Sequence, residues 1–363
     1  MAITAEQLKS RSLGCLLAGA AGDALGYPVE FDQLDDIREM YGPLGICSYT
    51  LGPDGKAQIS DDTQMTLFTA AGLLAYEESQ KTASGVAGDI LHYIRESYYD
   101  WLRTQQESLW DGEESLSILR SRPAVSRLAD VKELHALRAP GNTCLSALAA
   151  FEPYDRSHRA NERKGCGGIM RVAPVGIFGA DMTDEEVILL GAEAAALTHG
   201  HPLGYIPAGI FAGVVHAAIY GAEEEGIESI IRRTMKTAHG VFAGPDAAKD
   251  EPGAMAYVEE LVDMAILLAH NEHSDTDNIL LLGEGWVAEE TLAIAVYCAI
   301  RHEEDLSAAL IAAVNHDGDS DSTGAVTGNM LGALLGAKAL EEKWTKDLEL
   351  ADLIKEMAEE LIR

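Results

Sequence analysis

An acid-rich turn near the carboxyl end of the chain carries the residues best suited to chemistry. Residues 316–324 place aspartates at positions 317, 319 and 321 and follow them with two hydroxyl side chains. This alternation is typical of a calcium-binding loop, but such a loop needs Gly at its sixth position and Glu at its twelfth, where this chain has Ser322 and Gly328. An EF-hand is therefore excluded. What remains is an oxygen-rich turn at the start of a helix, suited either to capping that helix or to holding a cation.

A second acidic pair, Asp61 and Asp62, stands between Ser60 and Thr63 and directly before an apolar helical pattern. Adjacent carboxylates at a helix start are stabilised by the helix dipole, so capping alone would explain them. The alternative is that two successive carboxylates, which point in different directions, hold one cation and orient a second ion or its water. Glu30 is a further carboxylate with apolar neighbours, equally compatible with a surface acid and with a functional one.

A glycine-rich loop offers a different kind of site. Gly165, Gly167 and Gly168 surround Cys166, and two basic residues precede them. The bare backbone N–H groups of such a nest bind phosphate oxygens, and the basic residues favour the same ligand. Downstream, His199 in a His-x-His pair lacks a third zinc ligand nearby, so hydrogen bonding to a ligand is favoured over zinc binding.

Helices with ridges of small residues must position these groups. After the acidic turn, Gly324, Gly328, Gly332 and Gly336 recur every four residues, and each costs about 1 kcal/mol relative to Ala in a helix interior. The pattern predicts a central helix that others cross closely, and residues 8–24 and 207–220 predict two more of this kind. Further helices are predicted over residues 84–106, 141–150, 185–198, 286–301, 306–314 and 338–363, with 108–140 as a flap and 152–163 and 270–278 as loops.

The composition predicts an all-α fold. Hydrophobic residues make up 47% of the chain, alanine is abundant, and the alternation of β-branched and aromatic residues typical of strands is rare. A length of 363 residues gives a soft prior of two domains. Because no linker, fixed-period repeat or composition boundary appears, we predict one domain over residues 1–363.

The charge balance and the cysteines exclude several classes of function. With 27 basic and 59 acidic residues the net charge is −32, which repels phosphate backbones and argues against nucleic-acid binding. No leader pattern and no uninterrupted apolar run near the ~20 residues of a membrane span is apparent, so we expect a cytoplasmic protein without membrane contact. The five cysteines lack a CxxC pair, which indicates neither a disulfide framework nor a zinc knuckle.

Convergence of the acidic helix ends would create a metal centre. If Glu30, Asp61, Asp62, Asp319 and Asp321 meet, they cannot all ionise unless cations neutralise them, and two divalent ions would supply four positive charges. A ligand set made only of oxygen favours Mg²⁺ or Mn²⁺ over Zn²⁺. Paired ions of this kind orient oxygen-rich substrates and activate water. The residues alone thus predict a helical two-metal hydrolase, with a phosphate ester as one candidate substrate.

The same residues, in the same order, resemble the ADP-ribosylglycohydrolase family. That family includes the dinitrogenase reductase-activating glycohydrolases and the ADP-ribosylarginine and ADP-ribosylserine hydrolases. The matching segments are Gly22-Asp23, Glu30, 60–63, 165–171, Thr198-His199 and 318–323. The resemblance covers most of the chain and implies an all-α orthogonal multi-helix bundle with a binuclear metal centre.

The resemblance also implies roles for individual residues. The implied ligands of two divalent cations, Mg²⁺ or Mn²⁺, are Ser60, Asp61, Asp62, Asp319, Asp321 and Ser322. The implied catalytic residues are Glu30, as base or gate at the second metal, and Asp62. The implied substrate-binding residues are Gly165, Cys166, Gly167 and Gly168, which would cradle a diphosphate, and His199, which would contact ADP-ribose. Several relatives have Asn where Cys166 stands, which leaves the acceptor open.

On this resemblance we expect a hydrolase that cleaves the glycosidic bond between ADP-ribose and an acceptor. The preferred acceptor is arginine on an ADP-ribosylated protein, and a small ADP-ribosyl compound is a second expected substrate. A cognate ADP-ribosylating toxin is a further candidate partner. The alternatives are a non-catalytic ADP-ribose-binding or structural protein, a toxin-immunity protein on the same fold, and a two-metal phosphoesterase.

Overall fold

A computed structural model describes residues 3–81, 88–105, 113–221, 225–245 and 247–362. Within these ranges the chain forms sixteen α-helices and no β-strand, and its β pairing consists of three isolated bridges. The helices are α1 (Ala5–Gly26), α2 (Leu34–Tyr41), α3 (Asp61–Lys81), α4 (Ile90–Thr104), α5 (Glu113–Ser121), α6 (Asn142–Ala149), α7 (Ala173–Phe178), α8 (Asp184–Ala196), α9 (Pro202–Tyr220), α10 (Ile227–Phe242), α11 (Glu251–Ala269), α12 (Asp275–Leu282), α13 (Ala288–Arg301), α14 (Leu306–Val314), α15 (Ser320–Leu335) and α16 (Ala351–Glu360). The prediction of an all-α fold is confirmed.

Two glycine-lined helices, α1 and α15, lie against each other at the centre of the bundle. A Cβ atom at Gly22 would lie 2.1 Å from the carbonyl oxygen of Gly324, and one at Gly332 would lie 2.1 Å from that of Gly14. Because residue 22 faces 324 while residue 14 faces 332, the two helices are antiparallel. The C-terminal end of α1 therefore lies beside the N-terminal end of α15. This confirms the predicted central helices and brings two of the acidic segments together.

The third predicted small-residue helix is α9, which packs closely on α8. A Cβ atom at Gly209 would lie 2.5 Å from the carbonyl oxygen of Ile188. The helix begins at Pro202 and not at Pro207, because the His201 side chain accepts a hydrogen bond of 3.0 Å from the backbone N–H of Leu203 and caps it. Proline at the first helical position fits this start, since its missing N–H would have no partner there.

Helix α9 also corrects the prediction that the chain has no apolar run of membrane-spanning length. Its 19 residues have a mean hydropathy of 1.5 over their most apolar window, enough by length and composition to cross a membrane. However, 89% of that window is buried inside the protein. The helix occupies the position of a core helix, which explains why both its faces are apolar.

The predicted helical tail at residues 338–363 is largely wrong. Among the described residues 338–362, α16 is the one α-helix, and short 3₁₀ turns precede it. The backbone N–H of Ala57 donates to the carbonyl of Asp347 at 2.8 Å, and that of Glu349 donates to the carbonyl of Ala57 at 3.0 Å. This pairing with a distant segment keeps residues 347–349 extended, and Leu350 then turns the chain with a φ of 55°.

Other boundaries also differ from the predictions. The polar stretch predicted as a loop over 270–278 is helical from Asp275, because the Ser274 side chain caps the helix at the N–H of Asp277. The helices that were not predicted are α2, α5, α7, α10, α11 and α12. Of the predicted helix 84–106, residues 88–105 are described and contain α4 (Ile90–Thr104), while residues 84–87 and 106 lie outside the described residues. Residues 108–112 of the predicted flap also lie outside them.

Candidate metal and substrate site

The start of α3 is anchored by a carboxylate from α1. Asp23 accepts hydrogen bonds from the backbone N–H of Ser60 at 2.9 Å and from that of Thr63 at 3.1 Å, and the Thr63 hydroxyl donates to it as well. Because Asp23 satisfies these free N–H groups, Asp61 and Asp62 are not needed as caps. Their carboxylates are left to face the space between the helices.

The start of α15 divides the three alternating aspartates between two tasks. Asp317 accepts a hydrogen bond of 2.7 Å from the backbone N–H of Leu34 and so caps α2. Asp319 caps α15 itself, since the N–H of Ser322 donates to its carboxylate at 3.3 Å and to that of Asp321 at 2.9 Å. Capping and ligand binding are therefore not exclusive here, because each carboxylate has further lone pairs that point away from the helix.

The preceding turn requires glycine. Gly318 has a φ of 121°, and a Cβ atom there would lie 2.1 Å from the carbonyl oxygen of Glu284. The N–H of Asp319 donates to this same carbonyl at 2.8 Å. The turn is thereby tied to the segment before α13, and the carboxylate of Asp319 is held in one position.

Buried carboxylates from the turn after α1, from the start of α3 and from the start of α15 meet at one cavity. Glu30, Asp319 and Asp321 each offer an oxygen atom, and these atoms lie within 4.8 Å of one another. Asp61 and Asp62 line the same cavity, whose volume is about 520 Å³. The other lining residues are Phe31, Leu137, Ala139, Pro140, Gly141, Asn142, Thr143, Cys144, Leu145, Gly165, Cys166, Gly167, Met170, His199, Trp286 and Ser322. The predicted convergence of the acidic helix ends thus occurs.

Two predicted site residues do not line this cavity. Ser60 is fully buried behind it, where its hydroxyl accepts a hydrogen bond of 3.1 Å from the N–H of Asp62 and also bonds to Asp321. Gly168 faces away, since a Cβ atom there would lie 3.0 Å from that of Ala195. Ser60 is therefore placed to link the two acidic segments, and Gly168 allows close packing on α8.

Burial and mutual repulsion favour the neutral forms of these acids. Burial, followed by the charges of Asp321, Asp319 and Asp61, raises the pKa of Glu30 to about 10. Burial and the charge of Asp321 likewise raise the pKa values of Asp61 and Asp62 well above their usual range. One way to relieve the repulsion is a proton, and the other is a bound cation.

The site has the features that a hard divalent cation needs. The Oε2 atom of Glu30 and the Oδ2 atom of Asp62 are buried without a hydrogen-bond partner, which is costly unless a ligand satisfies them. The carboxylates that surround the cavity are closely spaced, and the hydroxyl of Ser322 adds another oxygen. Oxygen ligands in this density suit Mg²⁺ and Mn²⁺.

The glycine-rich loop forms a wall beside the acids, since the Cys166 side chain hydrogen-bonds to that of Asp319. A side chain at Gly167 would crowd its neighbours, because a Cβ atom there would lie 2.9 Å from the sulfur of Cys144 and 3.0 Å from the ring of His199. The N–H of Cys166 already donates to the carbonyl of Trp286 at 3.2 Å. The loop can therefore bring the backbone of Gly165 and Gly167 close to a ligand, whereas the N–H of Cys166 is not free to bind one.

His199 is a neutral side chain held at the base of the cavity. Its Nδ1 atom lies 2.9 Å from the hydroxyl of Thr198, which accepts a hydrogen bond of 2.8 Å from the guanidinium of Arg171. Burial, and secondarily the charge of Arg171, lowers the pKa of His199 to about 3. A neutral imidazole can serve as a hydrogen-bond partner for a ligand, and the other member of the pair, His201, instead caps α9.

Sequence reasoning gave no site role to several residues that shape this cavity. Asp23 has a recognisable signal, because it is the only charged residue in the small and apolar run from residue 12 to residue 26. Asn142 and Thr143 were predicted only to open a helix, and no local pattern marked Phe31 or Trp286. Part of the predicted flap does reach the site, since residues 137, 139 and 140 line the cavity.

Comparison with known proteins identifies the same architecture elsewhere. The profile of the family described as ADP-ribosylglycohydrolase matches residues 4–363. The chain is 24% identical to the ADP-ribosylhydrolase ARH3 of Bos taurus, over 94% of this chain and 89% of the relative. It is 25% identical to the ADP-ribosyl-[dinitrogen reductase] glycohydrolase of Rhodospirillum rubrum, over 96% and 93% respectively.

A further relative and a solved structure extend this similarity. The chain is 22% identical to the ADP-ribosylarginine hydrolase Tri1 of Pseudomonas putida (strain GB-1), over 99% of this chain and 80% of the relative. A structure described as an ADP-ribosylglycohydrolase-related protein complex superimposes with a TM-score of 0.64 at 22% identity, covering 99% of both chains. The solved structure supports the helical fold.

Proposed function

The chain belongs to the ADP-ribosylglycohydrolase family, and from this premise we propose that it is a cation-dependent hydrolase that releases ADP-ribose from ADP-ribosylated arginine on proteins. The observation that carries the proposal is the convergence of five buried carboxylates on one cavity, where Glu30 and Asp62 each retain an oxygen without a partner. The names of two relatives, one acting on an ADP-ribosylated protein and one on ADP-ribosylarginine, support the acceptor. The modified protein is the proposed partner, including one modified by an ADP-ribosylating toxin.

The proposed ligands of two divalent cations, Mg²⁺ or Mn²⁺, come from both acidic helix starts. They are Asp61, Asp62, Asp319, Asp321 and Ser322 at the cavity, together with Ser60 behind it, whose hydroxyl lies between Asp62 and Asp321. When bound, such ions would offset the negative charge and supply a Lewis-acidic site for the hydroxyl groups of a ribose and for water. We propose two ions because together they would bring four positive charges to five carboxylates.

The side chains and the backbone around the cavity would bind and orient the substrate. Gly165 and Gly167 allow the loop backbone to approach the diphosphate closely, and His199 offers its neutral ring to ADP-ribose. The fixed carboxylates favour the positive charge that develops on the ribose ring as the bond to the acceptor weakens.

The reaction replaces the carbon–nitrogen bond of the ribose with a carbon–oxygen bond. The oxygen of water bonds to the anomeric carbon, the guanidine nitrogen leaves with the bonding electron pair, and a proton passes from the water to that nitrogen. Glu30 and Asp62 are the proposed carriers of this proton, because each has a carboxylate oxygen at the cavity that no protein donor satisfies.

Release of ADP-ribose from an arginine-modified protein tests the proposal. The wild-type chain should release it with Mg²⁺ or Mn²⁺ and stop when EDTA removes the cation. Asp61→Asn and Asp321→Asn should each reduce kcat/KM at least about 100-fold, because they remove charge where charge develops in the transition state. Asp352→Asn removes an equal charge from a carboxylate that is 99% exposed, and it should leave the rate unchanged.

The products distinguish the alternatives. Free ADP-ribose and unmodified arginine support the proposed hydrolase, whereas inorganic phosphate or AMP would indicate a phosphoesterase. Cation-dependent binding of ADP-ribose in calorimetry, without turnover of arginine-linked or serine-linked substrates, would indicate a binding protein. The absence of both binding and turnover would refute the proposal.

A further inference from the structure

Two aromatic rings stand at the mouth of the cavity. Phe31 and Trp286 stack with ring centroids 5.8 Å apart and planes inclined by 18°. Phe31 is 72% exposed and Trp286 is 37% exposed, although both line the same cavity as the carboxylates. An aromatic side chain left in water forgoes about 1.5–3 kcal/mol of hydrophobic stabilisation, so the pair adds little to the stability of the fold. Exposed aromatic rings at the rim of a cavity are suited to contact a ligand that enters it.

Both rings are joined directly to the acidic centre. Phe31 follows Glu30 in the chain, and Trp286 follows Gly285, where a Cβ atom would lie 3.5 Å from the Cβ of Asp319. The carbonyl of Trp286 accepts a hydrogen bond of 3.2 Å from Cys166 in the glycine-rich loop. The pair is therefore held beside the reacting centre before any ligand arrives, which lowers the ordering cost of binding.

The charges around the cavity indicate which part of the substrate lies beside the two aromatic rings. On another side, the cavity shares Asn142 and Thr143 with a second hollow of about 600 Å³, which Arg163 also lines. A diphosphate is attracted to this basic side chain and repelled by the acids. The acceptor then lies on the side of the aromatic mouth, where the neighbouring carboxylates favour a cation.

We infer that Phe31 and Trp286 form the acceptor subsite, in which they stack on the planar guanidinium of ADP-ribosylated arginine. The inference rests on the proposed function and adds the basis of its acceptor choice. A guanidinium is flat, cationic and weakly hydrated, so it gains from an aromatic face and from nearby carboxylates together. A serine acceptor has neither a planar group nor a charge, so it gains neither from the aromatic face nor from the carboxylates.

The test compares two acceptors in variants that keep the apolar bulk of the mouth but remove its aromatic faces. Phe31→Leu and Trp286→Leu should each lower kcat/KM about tenfold for a peptide ADP-ribosylated on arginine, mainly by raising KM. The same peptide modified on serine should change less than twofold. Phe31→Tyr should retain activity, and Tyr257→Leu, a 48% exposed aromatic outside the cavity, is the matched control.

A binding measurement separates this inference from the proposed hydrolysis. Calorimetry with Mn²⁺ uses a Glu30→Gln background, which removes a proposed proton carrier and slows turnover. There ADP-ribosylarginine should bind more tightly than ADP-ribose, and adding either leucine substitution should abolish that difference while ADP-ribose binds normally. Equal losses on both acceptors, or no loss, would overturn the acceptor subsite. If the wild-type chain hydrolyses nothing but keeps the binding difference, the proposed reaction fails and the subsite stands.

Discussion

Asp23 is a buried carboxylate that serves the site without lining its cavity. Burial and the charge of Asp321 raise its pKa to about 7, while hydrogen bonds from Thr63 and Ser60 act in the opposite direction. Asp23 has a positioning role, because the hydrogen bonds that it accepts from backbone N–H groups fix where α3 begins. The direction of the Asp61 and Asp62 side chains follows from that start.

Asp23→Ala should therefore weaken both the fold and the metal site. Loss of the acceptor leaves buried N–H groups of Ser60 and Thr63 unsatisfied, which should cost about 1–3 kcal/mol in the free energy of unfolding. It should also lower the affinity for Mn²⁺ by about 10–100-fold, since groups that orient ligands act on this scale. Urea denaturation and calorimetry measure the two effects.

A matched variant separates loss of a cap from loss of the site. Asp305 caps α14 by accepting from the N–H of Ala308 at 3.0 Å, away from the cavity. Asp305→Ala should cost about 1 kcal/mol and leave Mn²⁺ affinity unchanged. If both variants reduce stability but neither changes the affinity, Asp23 is a structural cap alone.

At the scale of elements, the contact between α1 and α15 sets the distance between the acidic segments. A Cβ atom at Gly328 would lie 2.1 Å from the carbonyl oxygen of Ala18, and backbone atoms cannot yield as side chains do. A wider separation of the helices would move Asp23 and Glu30 away from Asp319 and Asp321. The glycine ridge thus serves the chemistry as well as the packing.

Gly328→Ala should destabilise the protein although alanine is the better helix former. Overpacking costs about 1–3 kcal/mol, which exceeds the gain of up to about 1 kcal/mol from helix propensity. Gly240→Ala in α10 supplies the opposite case, since no atom lies within 4 Å of the new Cβ, and it should stabilise by up to about 1 kcal/mol. Chemical denaturation should give changes of opposite sign. Stabilisation by both substitutions would show that the helices can move apart freely.

The same contact explains how much the sequence could predict. Small residues at a spacing of four reveal α1, α9 and α15, because only close backbone packing offsets the cost of the glycines. The acid clusters at two helix starts predicted a shared site, and the structure brings them to one cavity. The antiparallel order of α1 and α15 places the C-terminal end of α1 beside the acidic start of α15. This order cannot be predicted from either segment alone.

The features of the fold that the sequence analysis failed to predict are of two kinds. Some depend on long-range pairings, and one is a helix whose periodicity is present in the sequence. The bonds of Ala57 to residues 347 and 349 keep part of the tail extended, and no local pattern in the tail announces them. The stacking of Phe31 on Trp286 likewise depends on the fold. Helix α10 is different, since its buried residues recur at helical spacing and the signal was present in the sequence.

At the scale of the whole molecule, negative charge occurs in two environments that respond differently to salt. The net charge of −32 is distributed largely over the surface, where ions screen repulsion beyond about 8 Å at physiological ionic strength. The carboxylates at the cavity are buried and are screened much less. A measurement made at high salt therefore suppresses the surface contribution and leaves that of the site.

The pH dependence of stability should reveal the buried acids. For Glu30, whose pKa rises from 4.5 to about 10, and Asp23, whose pKa rises from 3.8 to about 7, the folded state keeps protons that the unfolded state releases. Their stabilising contribution is complete below about pH 4 and is lost as pH rises through the folded-state values. Without cations, Tm at high salt should fall between pH 6 and pH 9.

Divalent cations should reverse this trend, because they bind the ionised carboxylates of the folded state and not the unfolded chain. The increase in Tm caused by Mn²⁺ should therefore grow with pH over the same interval. Glu30→Gln removes the group with the highest of these pKa values, so its cation-free Tm should fall less steeply than that of the wild type. Differential scanning calorimetry with EDTA or Mn²⁺ at each pH makes the comparison. Parallel wild-type profiles with and without the cation would mean that these carboxylates do not hold it.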